Sequence, residues 1–571
     1  MSHQGKKWVI VFLIYADFRI DKTFPMNEEM KIELDLMLRE ILTTPINTGN
    51  ARLYVILNGI KYKVQESQGV QIENRTLLYE IINPERKSIN QFGCFQIIEN
   101  IVYEPGKPNP NNVQNPEKLK RILEKIKVME KEEVVLITWD HGSAFGIFRE
   151  EISKPPTTIR KPIYQELDNY PYLKAFWERA MEERSFSDTI NKERENRGDI
   201  IIQSGYDLFK LSLKEDTQNI FANLLYNIEI DNFIEVKKNE MEPSKLVFNK
   251  EKYFRSNGLE RHDFNIEEMN QEFLLEENVT EILKNDELAE SLSDWLGNKK
   301  VGVLLMMNCW MMNLHTMYSL RKSVQCLIAP QGNIAIPGYN YRGILRYLYK
   351  PLSPFRTNQA LAIKCVKTCE NKYAKKREEK IHKKLTQVHE KIDSWKIIAI
   401  DLQKEQDEQF LFDKQITLLK CIVESLISEI NSASEFKYMF KYIRSVSFDY
   451  TSGKSRMIDI INWLLSIRHS DLNSFPSKLT ATIKHEIMKL KNITVGDMNN
   501  LPIVLAKSKG KSIFNNGSAS IRLEPTGYSI FFPEKKIDND PNLIHNIRSD
   551  LFLTEFLTNW NTFLNNIDSG I

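Results

Sequence analysis

One cysteine and one histidine follow two apolar stretches of the 571-residue chain. Cys309 comes at the downstream end of the run VGVLLMMNCW at 301–310, and His141 follows the run EVVLITW at 133–139. A thiolate attacks a carbonyl carbon far better than a thiol does, and a nearby imidazole can lower the pKa of a thiol or take its proton. These two residues are therefore candidates for a cysteine nucleophile and its general base.

The residue after the histidine is Gly142. The tetrahedral intermediate of acyl transfer needs hydrogen-bond donors for its oxyanion, and backbone N–H groups are fixed donors. A glycine leaves room for the substrate carbonyl, so that Gly142 and Cys309 could each supply such an N–H. The residues alone leave a second interpretation open, in which His141 closes a strand and Cys309 is a small buried apolar residue.

The two residues meet only if the apolar runs are neighbouring strands of one parallel sheet, because the carboxyl ends of parallel strands lie at one edge. Segments with helical spacing at 28–42, 116–128 and 311–321 alternate with the strands, which favours crossover connections. We therefore predict an α/β fold with an open, mostly parallel sheet of about six strands and helices on both faces. The predicted strands are 8–15, 52–57, 133–139, one ending at Cys309, 324–329 and 396–400.

The alternation of strands and helices is interrupted at 150–265, a charged segment that is too long for a simple loop. We interpret 1–355 as the catalytic core with 150–265 inserted into it, and 356–495 as a mainly helical region that supplies the sixth core strand. Residues 496–571 are predicted to form a hairpin, with strands at 519–523 and 528–532, and a helix at 550–564 that pack back on the core.

Composition excludes several classes of function. The chain has 78 Lys and Arg against 76 Asp and Glu, so global attraction to nucleic acid or an anionic membrane is not expected. The basic segment 371–385 has interleaved glutamates, which is typical of a solvated helix face. No stretch approaches the roughly 20 apolar residues of a membrane span. Six cysteines in this length do not form a disulfide scaffold, and we expect free thiols in a reducing, cytoplasmic setting.

No metal site is expected. Cys365, Cys369, His382 and His389 are spaced unlike any common zinc pattern, and no Asp/Gly stretch is typical of a calcium loop. His315 and Cys326 are predicted to be core residues. No cofactor is therefore expected from the residues.

The order of the motifs resembles the clostripain family of cysteine peptidases, relatives of caspases, gingipains and separase. The motifs are Trp-Asp-His-Gly-Ser at 139–143, the strand that ends in Cys309 before a helix, and the segments 337–341, 399–402, 458–460, 528–533 and 560–564. The resemblance covers the chain from residue 8 to its end apart from 150–265. It implies a caspase-like sheet with His141 as base, Cys309 as nucleophile and the Gly142 N–H in the oxyanion hole. Calcium dependence would follow from this resemblance alone.

The chain departs from the usual family pattern at the specificity pocket. The family's Asp-Ala-Cys is Met-Asn-Cys at 307–309, and its acidic Ser-Glu-Glu after strand five is Ala-Pro-Gln at 329–331. A pocket without carboxylates has no counter-charge for Lys or Arg, so the preferred residue before the scissile bond stays open between basic and uncharged. We expect Asn308, Gln331 and Tyr339 to line the pocket, with packing or surface positions as the alternative for each.

Our hypothesis is an endopeptidase that cleaves protein substrates through an acyl-enzyme on Cys309. A partner, a small ligand or an autoinhibitory segment is expected to control it, and the resemblance implies a microbial defence or cell-death pathway. Self-cleavage after the histidine has little support, because Pro155 and Pro162 follow Lys154 and Lys161 and only Arg160 remains. The alternative is a binding or scaffold protein that keeps the fold without peptidase activity and docks partners on 150–265.

Overall fold

The structure is a computed structural model. It describes residues 7–16, 28–44, 49–66, 69–81, 95–102, 113, 115–143, 145–151, 234–236, 246–248, 279–332, 339–350, 357–369, 397–406, 409–433, 435–445, 457–469, 479–495, 503–508, 526–532, 550, 552–556 and 558–567. Most of 150–265 lies outside these residues, as do 371–385, the predicted strand 519–523, His382 and His389. Among the described helices we find none whose length and apolar character would let it span a bilayer.

The strands vary in length from two to 16 residues. In chain order they are β1 (Lys7–Tyr15), β2 (Ala51–Glu66), β3 (Gly69–Ile81), β4 (Phe95–Val102), β5 (Glu132–Trp139), β6 (Gly142–Ser143), β7 (Gly146–Glu151), β8 (Ile234–Val236), β9 (Leu246–Phe248), β10 (Val279–Lys284), β11 (Val301–Met307), β12 (Val324–Pro330), β13 (Ile397–Asp401), β14 (Glu405–Gln406), β15 (Gln409–Phe410), β16 (Met457–Asp459), β17 (Val504–Lys507) and β18 (Ser529–Phe531).

Helices connect and cover these strands. They are α1 (Glu28–Thr43), α2 (Pro116–Leu123), α3 (Asn285–Leu296), α4 (Leu314–Leu320), α5 (Tyr341–Leu348), α6 (Asn358–Cys369), α7 (Leu411–Ser432), α8 (Glu435–Ser445), α9 (Ile460–His469), α10 (Ala481–Val495), a π-helical turn (Phe552–Phe556) and α11 (Thr558–Asn566).

A nine-stranded sheet in the order β17-β13-β12-β11-β5-β1-β2-β3-β4 forms the centre of the fold. The five strands from β12 to β2 run parallel, whereas β13 and β17 on one side and β3 and β4 on the other pair antiparallel. The predicted α/β fold is therefore confirmed, and all six predicted strands lie in this sheet. It is wider than predicted, because β3, β4 and β17 extend its edges.

Each central strand supplies side chains to two apolar cores, one on each face of the sheet. Along β1, Val9, Val11 and Leu13 enter one core, and Trp8, Ile10 and Phe12 enter the other. Burial on both faces explains why these strands are continuous apolar runs, since each fully buried large aliphatic side chain contributes about 1.5–3 kcal/mol. Helices α1, α5 and α6 cover one face, and α2, α3, α4 and α7 to α11 cover the other.

The insertion begins and ends at two paired strands. β7 pairs antiparallel with β10 across it, and β7 also pairs with β6, which begins at Gly142. Within the insertion the described backbone contains β8, which pairs with β9. Both ends of the insertion are thus attached to the loop that carries His141.

The C-terminal region contains the second strand of the predicted hairpin and a divided helix. That strand, β18, pairs antiparallel with β16, while the predicted first strand, 519–523, lies outside the described residues. The predicted helix 550–564 is divided into the π-helical turn and α11. Trp560 and Phe563 of α11 pack on Phe532 and Trp463, so this segment does pack back on the core.

Candidate active site

The strands that precede His141 and Cys309 are neighbours in the sheet. β5 and β11 pair in parallel, with Thr138 opposite Met306 and Trp139 opposite Met307. The next residues of both strands leave the sheet at the same edge, where side chains emerge from the core. The predicted adjacency of the two strand ends is therefore confirmed.

The two loops touch directly beyond the strands. A Cβ atom added to Gly142 would lie 2.4 Å from the carbonyl oxygen of Cys309 and 3.0 Å from the Cβ of Asn308. Real Cβ atoms do not approach backbone this closely, so glycine is required at 142 for the two loops to meet. This reason is different from the expected one, which was access for the substrate carbonyl.

The backbone is strained beside both candidate residues. Asp140, immediately before His141, has a φ of 153°, and Trp310, immediately after Cys309, has a φ of 61°. Positive φ is uncommon for residues with a side chain and costs about 1–3 kcal/mol where it is forced. Trp310 is held by hydrogen bonds, since its N–H donates to the Gly332 carbonyl at 3.0 Å and its own carbonyl accepts from Asn313 Nδ2 at 2.7 Å. Strain of this kind is concentrated at functional sites.

Cys309 differs in its surroundings from the cysteines of the core. It forms no disulfide and lies in a half-buried position, and His141 is also half-buried. Cys326, in contrast, is completely buried in β12, and desolvation raises the pKa of its thiol far above the ordinary value. The interpretation of Cys309 as a sealed apolar residue is therefore wrong, whereas the prediction that Cys326 belongs to the core is confirmed.

His315 also lies near the site, but it is completely buried and its ring nitrogens contact protein groups. Nδ1 lies 2.8 Å from Asp550 Oδ1, and Nε2 accepts a hydrogen bond from the Phe531 N–H at 3.2 Å. This geometry places the ring proton on Nδ1, facing the carboxylate. His315 is a core residue, as predicted, and connects α4 to the C-terminal segment.

The structure corrects the expectation that Asn308 lines the substrate pocket. Its side chain is completely buried and contacts three residues of the histidine strand and loop. Nδ2 donates to the carbonyl oxygens of Asp140 at 3.0 Å and His141 at 3.1 Å, and Oδ1 accepts from the Thr138 hydroxyl. The amide is used within the protein because a polar group this deep requires partners.

The structure places Gln331 in a buried polar cluster rather than in a pocket. Nε2 donates to Asp459 Oδ2 at 2.9 Å and to Ser529 Oγ at 2.8 Å, and Oε1 accepts from the Gly527 N–H at 2.9 Å. Asp459 also accepts from the N–H and the hydroxyl of Thr526. Desolvation raises the pKa of the Asp459 carboxyl, and the hydrogen bonds from Gln331, Thr526 and Asn462 offset part of that rise.

Tyr339 is likewise a core residue, which corrects the third pocket assignment. Its side chain is completely buried, its hydroxyl donates to the Met306 carbonyl at 2.7 Å, and its ring packs edge-on against Tyr341. These contacts fasten the segment after β12 to the end of β11. The sequence analysis assigned no role to Thr138, and it used Asp459 only as part of the motif at 458–460. Thr138 is a polar residue within an apolar strand, and Asp459 is an acid between apolar residues.

Comparisons with known proteins identify a family for this chain. A model of the clostripain family, Peptidase_C11, matches residues 274–563, which is just over half of the chain. The match contains Cys309, while His141 lies upstream of it. The comparison with curated proteins found no match.

Within the described residues no group of three or more His, Cys, Asp or Glu side chains could hold a metal ion.

Three solved structures were also similar. An inactive zymogen C11 protease from Parabacteroides distasonis is 10% identical, with a TM-score of 0.42 and coverage of 97% of this chain and 99% of that one. A secreted C11 cysteine protease from Bacteroides thetaiotaomicron, iotapain, is 11% identical, with a TM-score of 0.40 and coverage of 92% and 93%. A secreted C11 cysteine protease from the same organism in complex with an irreversible peptide inhibitor is 10% identical, with a TM-score of 0.41 and coverage of 99% of both chains. On the strength of the family match, the chain belongs to the clostripain family of cysteine peptidases.

Proposed function

We propose that the chain is an endopeptidase whose catalytic dyad consists of Cys309 and His141. The observation that carries this proposal is the contact between the two loops, in which the Gly142 backbone lies against the Cys309 carbonyl at the carboxyl ends of β5 and β11. Half-burial of both residues and the strained backbone beside each of them support the same assignment.

The reaction would proceed in two steps. Cys309 Sγ attacks the carbonyl carbon of the peptide bond after its proton has passed to His141, and the carbonyl electron pair moves to the oxygen. When that pair returns, the C–N bond breaks, the amine leaves with the proton from His141, and a thioester remains on Cys309. Water then attacks the thioester with His141 as base, which releases the carboxylic acid product and the free thiol.

The oxyanion of each intermediate would bind to the Gly142 N–H. Gly142 pairs with Ile147 in the β6–β7 hairpin, and the Phe148 N–H donates to the His141 carbonyl at 3.1 Å. In an antiparallel ladder, a residue next to a hydrogen-bonded pair belongs to a non-bonded pair, so its N–H points away from the partner strand. The Gly142 N–H is thus directed away from β7, as an oxyanion donor must be.

We also propose that control of this activity acts through the insertion. β7 and β10 enclose the insertion, and β7 pairs with the strand that begins at Gly142. A partner, ligand or autoinhibitory contact that shifts β7 or β10 would therefore act on the histidine loop through strand pairing. The free thiols of the described cysteines support a reducing setting for the enzyme. A purely scaffolding function relies on insertion residues outside the described part of the chain, and no described contact favours it.

A peptide-library digest tests the proposed dyad. Wild type should cleave, and Cys309→Ala and His141→Ala should each lose activity by on the order of 10³-fold or more. Cys421→Ala is the matched control, because Cys421 is an exposed free thiol on α7, away from both loops. Cleavage that survives Cys309→Ala, or that Cys421→Ala also abolishes, would overturn the assignment.

A further inference from the structure

The side chain of Asn308 makes hydrogen bonds between the two chains at the point where the main-chain pairing of β5 and β11 ends. The last contact between the two strands is the Asp140 N–H to the Met307 carbonyl, which is already long at 3.4 Å. Beyond it the two chains separate as loops toward His141 and Cys309. The amide of Asn308 makes three further hydrogen bonds between them. It donates to the carbonyls of Asp140 and His141 and accepts from the Thr138 hydroxyl.

The geometry of these bonds determines the path of the histidine loop. In a regular strand consecutive carbonyls point in opposite directions, so one side-chain N–H₂ group cannot donate to both of them. Here the carbonyls of Asp140 and His141 both receive a hydrogen bond from Nδ2 of Asn308, at 3.0 and 3.1 Å. This requires the chain to bend at His141, whose φ and ψ set the angle between the two carbonyls. The strained φ of 153° at Asp140 lies immediately before this bend. We call the Asn308 amide and its bonds to Thr138, Asp140 and His141 the Asn308 clamp.

The clamp joins the residue before Cys309 to the backbone of His141 itself. The Thr138 hydroxyl donates to Oδ1 of Asn308 and so fixes which way the amide is turned, with its N–H₂ group toward the two carbonyls. The His141 carbonyl also accepts from the Phe148 N–H, which holds the loop from the opposite side. Both N–H groups of the buried amide are used. These hydrogen bonds therefore hold the histidine backbone in addition to the close contact between Gly142 and Cys309.

We infer that Asn308 is a positioning residue, which holds the His141 loop at the distance from Cys309 that proton transfer requires. The inference rests on the proposed dyad and adds to it a named residue that contacts neither substrate nor reacting atoms. If Asn308 served stability alone, its replacement would lower the free energy of unfolding without changing how the His141 imidazole influences the Cys309 thiol. If Asn308 positions the histidine loop, its replacement changes that influence directly.

The test is the pH dependence of Cys309 alkylation by iodoacetamide, followed by mass spectrometry of the Cys309 peptide in the full chain. An imidazole in contact keeps a thiol reactive below the range near about 8.5 where an isolated thiol titrates. We expect wild type to remain reactive at pH 6 and His141→Ala to lose at least about tenfold there, with recovery above pH 9. Asn308→Asp, which cannot donate to the two carbonyls, should lose reactivity at pH 6 as His141→Ala does.

A second pair of variants keeps the test valid if Asn308→Asp does not fold. Thr138→Val removes the hydroxyl that orients the amide and should shift the pH profile, whereas Thr138→Ser retains the hydroxyl and should restore it. Asn340→Ala is the matched control, because Asn340 is another buried asparagine whose amide donates to one backbone carbonyl, that of Thr368, at 3.2 Å. It should lower stability and leave the profile unchanged.

The outcomes separate the two proposals. A wild-type profile that does not depend on His141 would overturn the dyad, and the positioning role with it. A His141-dependent profile that is the same in wild type, Asn308→Asp and Thr138→Val would leave the dyad intact and overturn the positioning role. A shift of equal size in Asn340→Ala would show that any loss of stability moves the profile, which would also overturn it.

Discussion

Gly142 lies so close to Cys309 that a methyl group on its Cα would overlap the cysteine's carbonyl oxygen, at 2.4 Å. The neighbouring atoms are two backbone atoms and the Cβ of Asn308, none of which can rotate away. The contact fixes the separation of the two loops at the carboxyl ends of β5 and β11, and each of them carries one candidate catalytic residue. The glycine of the His-Gly pair is therefore required by the close packing of the two loops in the tertiary structure.

Gly142→Ala should therefore separate the loops and abolish peptidase activity while the central sheet still folds. The measurement is peptide cleavage together with urea unfolding. Gly297→Ala is the control, since Gly297 has a φ of +60° but no atom within 4 Å of an added Cβ. It should lower the free energy of unfolding by about 1–3 kcal/mol through backbone strain and leave activity unchanged. Full activity in Gly142→Ala would contradict the close approach of the loops.

Gln331→Ala should reduce stability without altering substrate preference, because the Gln331 side chain bonds to Asp459, Ser529 and Gly527 inside the protein. Leaving buried partners unsatisfied costs about 1–3 kcal/mol. Urea unfolding measures the first effect and a peptide-library digest the second. Gln359→Ala, which removes a half-buried bond of 3.0 Å to Asp401, serves as a comparison. A changed substrate preference in Gln331→Ala but not in Gln359→Ala would show that Gln331 lines the specificity pocket.

Asp550→Ala should destabilise the attachment of the C-terminal segment. It leaves the buried His315 without its 2.8 Å partner and removes the acceptor of the Leu553 N–H at 3.1 Å. We expect a loss of about 3 kcal/mol in the free energy of unfolding, from one bond to a charged group and one helix cap. Asp413→Ala provides the contrast, because its ion pair with Arg321 is exposed and spans 3.6 Å, so its loss should cost well under about 1 kcal/mol. Equal losses in the two variants would contradict the structural role of the buried pair.

The stability of the enzyme should depend on pH through Asp459. Burial raises the pKa of this carboxyl in the folded protein above its unfolded value of about 3.9. The folded state then binds the proton more tightly than the unfolded state, so the contribution of Asp459 is complete below the unfolded pKa and is lost as the pH rises through the folded pKa. The advantage of wild type over Asp459→Asn should therefore decrease from pH 4 upward, by at most about 1.4 kcal/mol per pH unit.

Urea unfolding of both proteins at several pH values measures this difference. Asp401→Asn controls for loss of a buried carboxylate, since Asp401 lies in β13 and accepts from the Gln403 N–H at 3.0 Å, away from the Asp459 cluster. An advantage of wild type that increases with pH would mean that the hydrogen bonds to Asp459 outweigh its desolvation.

The sequence by itself determined the six central strands and the edge at which His141 and Cys309 emerge. Apolar runs that are buried on both faces can only be inner strands of a covered sheet, so their identity is a local property of the chain. Parallel strands place their carboxyl ends together, so the adjacency of the two loops followed once the runs were assigned to one sheet. The sequence did not indicate that β3, β4 and β17 extend this sheet, because half-polar strands have weaker patterns.

Only the tertiary structure decided which polar residues face substrate and which hold the fold together. Polar and amphipathic side chains can serve either purpose, as Asn308, Gln331 and Tyr339 do. Which purpose a side chain serves depends on partners far away in the chain. Gln331 bonds to residues 128 and 196 positions away, and Asn308 bonds to one that is 168 positions away. A buried polar side chain is stable only with such partners, and no local pattern reveals where a distant segment will supply them.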